Sequence, residues 1–197
     1  MTYWPALMTL KKTISNPQAT TNLIIVMGVS GSGKSTLAKA LADIYHYEYL
    51  DGDDFHSDES RALMAQAIPL TDEHRAPWVA TIKHRLQANA TQQIHTILAF
   101  SGLKQKHREE LRSAGLRTIV LYLNGSKETI ENRISNRVGH FMAPALLASQ
   151  FASMEEPVNE TDVHLIDVWP TIEQVVTQSR SIIDEYLLAD QHTSLSL

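Results

Sequence analysis

Gly28-Val29-Ser30-Gly31-Ser32-Gly33-Lys34-Ser35 is a complete G-x-x-x-x-G-K-[ST] pattern, and its flanks decide the fold. Leu23-Ile24-Ile25-Val26-Met27 before it is a short apolar, β-branched run that reads as a buried strand. Thr36-Leu37-Ala38-Lys39-Ala40-Leu41-Ala42 after it is rich in helix formers, with Leu37 and Leu41 one turn apart. Strand, glycine-rich turn and helix form the context in which successive backbone N–H groups converge on one anion. The helix N-terminus adds about half a positive charge at the same place. Gly28, Val29, Ser30, Gly31, Ser32, Gly33, Lys34, Ser35 and Thr36 are therefore the candidate nucleotide-phosphate site. Lys34 is placed to reach the β- and γ-phosphates, and the Ser35 hydroxyl to ligate Mg²⁺.

Composition narrows the rest. A chain of 197 residues suits one domain with tails. A formal net charge of −5 argues against bulk electrostatic binding to nucleic acid or to an anionic membrane. Zero cysteines exclude disulfides, thiol catalysis and cysteine-rich metal sites. No apolar run approaches the roughly 20 residues that span a bilayer. The Trp4 to Leu10 stretch is too short for a signal-peptide core, contains Pro5 and is followed by Lys11-Lys12. Residues 1–22 read as a disordered or loosely docked extension, 23–188 as a single domain, and 189–197 as a frayed tail. A cytoplasmic location is expected.

Five strand candidates alternate with helical stretches: Leu23–Met27, Tyr47–Asp51, Thr96–Ser101, Thr118–Leu123 and Val163–Asp167. Such alternation predicts an α/β domain, a five-stranded parallel sheet with helices on both faces. Helices are expected over Thr36–Ile44, Lys104–Ser113, Lys127–Asn136 and Thr171–Leu188. Asp58–Ala67 and Asp72–Ala90, separated by Pro69, read as a helical insertion after the second strand. Ligands of such sheets lie beyond the carboxyl ends of the strands, where the phosphate loop, Asp51-Gly52-Asp53-Asp54 and Ser101-Gly102-Leu103-Lys104 all fall.

Asp51 and Asp53 follow the second strand at i, i+2 spacing, which in extended backbone points both carboxylates one way. Phosphoryl transfer uses one carboxylate near Mg²⁺ and another facing the acceptor hydroxyl. Asp51 is assigned to the metal and Asp53 to the hydroxyl; simple helix capping is the competing account. Arg133 and Arg137 lie at i, i+4 on one helix face, and Gly139-His140-Phe141 then breaks the helix into a mobile lid. Arginines on such a lid close over the transferring phosphate, unless they form a solvated face with Glu128 and Glu131. Arg75, Lys104, His107 and Arg108 either bind an anionic acceptor or serve as surface charges. The nine histidines show no metal-ligand spacing, and Trp78 and Phe141 read as packing residues.

These motifs together resemble the gluconokinases, small P-loop sugar-acid kinases related in fold to shikimate and nucleoside-monophosphate kinases. The resemblance rests on Met27 to Ser35, Leu50-Asp51-Gly52-Asp53-Asp54-Phe55-His56, Pro69-Leu70-Thr71-Asp72 and Arg75-Ala76-Pro77-Trp78. It continues through Leu103-Lys104, Arg108, Arg137-Val138-Gly139-His140-Phe141, Ser149-Gln150-Phe151 and Glu155-Glu156-Pro157. It implies a P-loop kinase fold, ATP and Mg²⁺ as cofactors, a small sugar-acid substrate, and transfer of the γ-phosphoryl of ATP to the terminal hydroxyl of D-gluconate. It implies a catalytic set of Lys34, Asp53, Arg133 and Arg137, and an acceptor set of Asp53, His56, Arg75, Lys104, Arg108 and His140. A homodimer is also implied. Departures from the family pattern at Ser60, Leu63, Ala67, Phe100, Gly102 and His107 fall in segments expected to contact the acceptor. They leave open a different acceptor, such as another sugar acid, an adenylylsulfate or shikimate, or a nucleotide-binding regulator without turnover. A switch GTPase is set aside because no Asn-Lys-x-Asp segment is present.

Overall fold

Every residue of strand β1, Asn22–Met27, is buried, because β1 is the middle strand of the sheet. A computed structural model describes residues 21–135 and 144–194 of the chain. The other strands are β2 (Glu48–Asp51), β3 (Thr96–Phe100), β4 (Arg117–Asn124) and β5 (Val163–Asp167). Their order is β2-β3-β1-β4-β5, and every pair is parallel. Each strand falls within two residues of the expected span.

A parallel strand buried on both faces sends alternate side chains into two cores. Ile24 and Val26 of β1, with Ile97 and Ala99 of β3, pack against Leu37 and Leu41 of α1 (Lys34–Tyr45) and Val175 and Ile183 of α7 (Ile172–Ser194). Leu23, Ile25 and Met27, with Leu98 and Phe100, face Trp78, Ile82 and Leu86 of α3 (Asp72–Thr91) and Leu111 of α4 (Gln105–Arg112). The insertion is α2 (Asp58–Ala65) followed by α3, as expected. After β4 come α5 (Lys127–Ser135) and α6 (Pro144–Ser153). Helix α6 was not anticipated, although Pro144 in its first turn and the Leu147–Phe151 pair at i, i+4 are helix signals.

Two boundaries differ from expectation. Thr21 and Asn22, assigned to the extension, are buried and already belong to the ladder. Thr21 O accepts from Arg117 N–H at 2.9 Å, and Asn22 N–H donates to His95 Nδ1 at 3.0 Å, so a central strand recruits them from both sides. At the other end, α7 continues beyond Leu188 to Ser194. Residues 1–20, and the expected lid with Arg137, His140 and Phe141, lie outside the described residues. Among the described residues no helix is long and apolar enough to cross a membrane.

Candidate active site

The phosphate loop closes between β1 and α1. Gly28 N–H donates to Ser101 O at 3.3 Å, which sets the loop against the turn after β3. Gly31 has φ +81° and no room for a side chain: a Cβ there would stand 2.5 Å from Ile134 Cγ1. Gly33, at φ +102°, is the N-cap of α1, and a Cβ there would project into open space. No side chain caps this helix and no acidic residue sits in its first turn, so its N–H groups and dipole are left for an anion. Ser32 Oγ is buried without a hydrogen-bond partner, an orphan polar atom inside the cradle. These features fit a nucleotide phosphate.

Lys34 folds back to donate from Nζ to Val29 O at 3.0 Å. Burial pushes its ammonium pKa down, opposed by Asp53 and Asp51. The Ser35 hydroxyl donates to Asp51 Oδ2 at 3.0 Å, and the same oxygen accepts from Tyr49 OH at 2.6 Å. A hydroxyl beside a carboxylate is a hard-oxygen donor set that fits magnesium.

The extended arrangement expected of Asp51 and Asp53 does not form. Gly52–Phe55 is a 3-10 turn with Asp51 as its N-cap, Oδ1 accepting from Asp53 N–H at 3.1 Å. Gly52 makes the turn possible by lying close on β3, where a Cβ would meet Ala99 O at 2.9 Å. Trp78 Nε1 donates to Gly52 O at 2.7 Å and fixes it from the other side. The turn parts the two carboxylates: Asp51 is committed to Ser35 and Tyr49, while Asp53 stays exposed beside a cavity.

That cavity, of about 330 Å³, is lined by Lys34, Asp53, His56 and Arg75, with Met64, Ala67, Pro69, Leu70, Leu103 and Leu146 among its apolar walls. The size suits a small metabolite. Stacked 4.3 Å from Trp78 at an interplanar angle of 14°, His56 carries a buried Nδ1 without a partner. Its Nε2 lies 3.9 Å from Asp53 Oδ1. Burial lowers its pKa, Asp53 opposes this, and Arg61 and Arg75 reinforce it. Arg75 is half-buried and, among the described residues, its guanidinium makes no hydrogen bond or ion pair. One carboxylate, one unpaired guanidinium and one lysine therefore face a single space, the arrangement an anionic polyol acceptor needs.

Other expected acceptor residues sit elsewhere. Lys104 is ion-paired with Glu155 at 3.2 Å and does not line the cavity. The Arg108 side chain is 1% exposed. Its Nε donates to Glu160 at 2.9 Å, Nη1 to Gly102 O at 2.5 Å, and Nη2 to Glu155 O at 2.9 Å and to Glu160. With every nitrogen engaged internally, Arg108 shapes the turn after β3 instead of facing the acceptor space. Arg133 stands at a second cavity, of about 270 Å³, lined by Gly33, Thr36, Val168 and Pro170. It donates to Ser32 O at 3.5 Å and to Val168 O, which places it on the nucleotide side of the loop.

Of the six departures, only Ala67 lines the acceptor cavity. Phe100 stacks on Trp78 at 5.0 Å, Gly102 lies against Met27, and Ser60 N–H donates to the Oγ of Ser57, the N-cap of α2, at 3.1 Å. Ala67 has φ +60° and closes a Schellman turn at the end of α2: its N–H reaches Met64 O and that of Ile68 reaches Leu63 O, both at 3.0 Å.

Gln150 on α6 was not among the expected site residues. It lines the acceptor cavity, and Ser30 N–H of the phosphate loop donates to its Oε1 at 2.7 Å. The Ser149-Gln150-Phe151 motif was the signal that singled it out.

A family model described as AAA domain matches residues 23–158. A probable gluconokinase of Mus musculus is 40% identical, covering 68% of this chain and 83% of its own length. The thermosensitive gluconokinase of Escherichia coli is 37% identical, over 81% of this chain and 86% of its own. Among solved structures, a gluconokinase from Sinorhizobium meliloti superposes with a TM-score of 0.80 at 32% identity, covering 91% of this chain and 100% of that one.

Proposed function

The chain belongs to the gluconokinase family, and from that premise we propose that it phosphorylates D-gluconate with ATP, giving 6-phosphogluconate. The observation that carries the assignment is the shared cavity of Lys34, Asp53, His56 and Arg75 against the phosphate loop. Arg75 offers the gluconate carboxylate a free guanidinium, and the apolar walls suit the C–H face of a hexose chain. Asp53 orients the terminal hydroxyl and takes its proton as the new P–O bond forms and the bond to ADP breaks. His56, its pKa lowered by burial, places Nε2 beside Asp53 on the acceptor side. Lys34 leaves Val29 O for the phosphates, and Arg133 closes the nucleotide side. Ser35 and Asp51 would hold magnesium, which supplies charge neutralisation on the phosphates.

Arg137 and His140 complete the proposed lid, on the family resemblance. Lys104 and Arg108 support the acceptor wall through Glu155 and Gly102. A homodimer is proposed from the same resemblance, supported by exposed Leu165 on the edge strand β5. A cytoplasmic location is proposed because the reaction consumes ATP.

Asp53→Asn tests the chemistry. It is expected to leave ATP binding within a few-fold of wild type while cutting turnover by about a hundredfold or more, the contribution of a positioned base. Unchanged turnover would remove Asp53 from the reaction.

A further inference from the structure

We propose that Gln150 donates a hydrogen bond to the phosphoryl group in transfer, an assignment that rests on the kinase reading above. Ser30 N–H meets the Gln150 side chain at 2.7 Å. A backbone N–H is a donor only, so the end of the carboxamide facing the loop must be Oε1. The amide is thereby oriented, and Nε2 with its two donors is turned away from the loop. Among the described residues Nε2 has no hydrogen-bond partner, and Gln150 lines the acceptor cavity together with Lys34, Asp53 and Arg75.

The helix that carries Gln150 is fixed at its C-terminal end. Just beyond α6, Glu155 N–H donates to Leu103 O at 2.8 Å, and Glu155 Oε2 accepts from Gln105 N–H at 2.7 Å. Arg108 Nη2 holds Glu155 O at 2.9 Å. The C-terminal end of α6 is therefore held between the turn after β3 and the phosphate loop, and Gln150 stands at the seam. That is where the group passing from nucleotide to acceptor must lie. Its transition state is loose and spreads charge over three equatorial oxygens, so a fixed donor there acts on the barrier more than on ground-state binding.

Two variants test the assignment in the full chain, read by ADP release, ATP affinity and melting temperature. Gln150→Met keeps the length but has neither donor nor acceptor. It is expected to lower kcat about ten- to a hundredfold, with ATP affinity and gluconate KM within about threefold of wild type. Gln150→Glu keeps an oxygen for Ser30 N–H but presents no N–H, and is expected to be at least as slow. Recovery of turnover in Gln150→Glu would show that the residue only ties α6 to the loop, and would overturn the proposal. So would a Gln150→Met enzyme within threefold of wild-type kcat, or one whose entire loss appears as weaker ATP binding. Wild-type protein without gluconate-dependent ADP release would refute the kinase reading itself, and the assignment with it.

Discussion

Replacing Arg108 by Met is expected to cost stability and to leave gluconate affinity nearly unchanged. The side chain is 1% exposed and paired with Glu160, itself 10% exposed. Breaking a buried ion pair by removing one partner costs about 3–5 kcal/mol, because it strands a charge. Here Glu160 retains Arg112, whose Nη2 lies 2.7 Å from Oε2, so the lower end of that range applies. Gly102 O and Glu155 O lose their guanidinium donor as well, adding about 1 kcal/mol between them. The total, about 4 kcal/mol, is a large share of the roughly 5–15 kcal/mol that holds a domain together. It corresponds to a fall in Tm of about 8–16 °C at 2–4 °C per kcal/mol for a chain of this size. Urea unfolding followed by tryptophan fluorescence measures the loss, and gluconate KM measures the alternative role. The double variant Arg108→Met/Glu160→Gln is expected to recover less than about 1 kcal/mol, since Glu160→Gln also gives up the pair with Arg112. Unfolding within 1 kcal/mol of wild type, combined with a tenfold rise in gluconate KM, would refute the reasoning and place the guanidinium on the acceptor.

Ala67→Gly should stabilise the protein by about 0.5–1 kcal/mol, relief of left-handed backbone outweighing the added freedom of the unfolded chain. A lower urea midpoint in that variant would contradict the Schellman geometry. Stability should also fall on acidification. His56, His95 and His107 all have lowered pKa values, with burial the first cause in each. Below about pH 6.5 the unfolded chain takes up protons that the folded chain resists, so stability is fully present above that pH and declines toward the lowered folded values. Melting curves at about pH 7.5 and about pH 5.5 are expected to show the lower Tm at the acidic value, with a shallower dependence in His107→Gln. A Tm that rises toward acid would contradict the burial argument.

The nucleotide half of the molecule was legible because its determinants are local. An apolar strand, the glycine spacing and Leu37–Leu41 lie within twenty residues of one another, and their periodicities differ. The acceptor half was legible in composition but not in role, because its roles depend on partners far along the chain. Arg108 reads as a free cation until Glu160, 52 residues away, is brought against it. Asp51 and Asp53 read as parallel carboxylates until Gly52, pressed on β3 and held by Trp78, folds them into a turn. Gln150 stood in a recognised motif, yet its meaning depends on Ser30, 120 residues earlier. Departures such as Phe100 and Gly102 looked like pocket changes because sequence places them beside Ser101, while the strand and turn direct them into packing.

Whether this chain phosphorylates gluconate is decided by Mg·ATP-dependent ADP release against a panel of D-gluconate, other hexonates, 2-keto-gluconate, shikimate and a neutral sugar. Saturable turnover with D-gluconate, and little or none with the neutral sugar that offers Arg75 no carboxylate, is the predicted result. Tight ATP binding with no turnover on any acid would contradict the account.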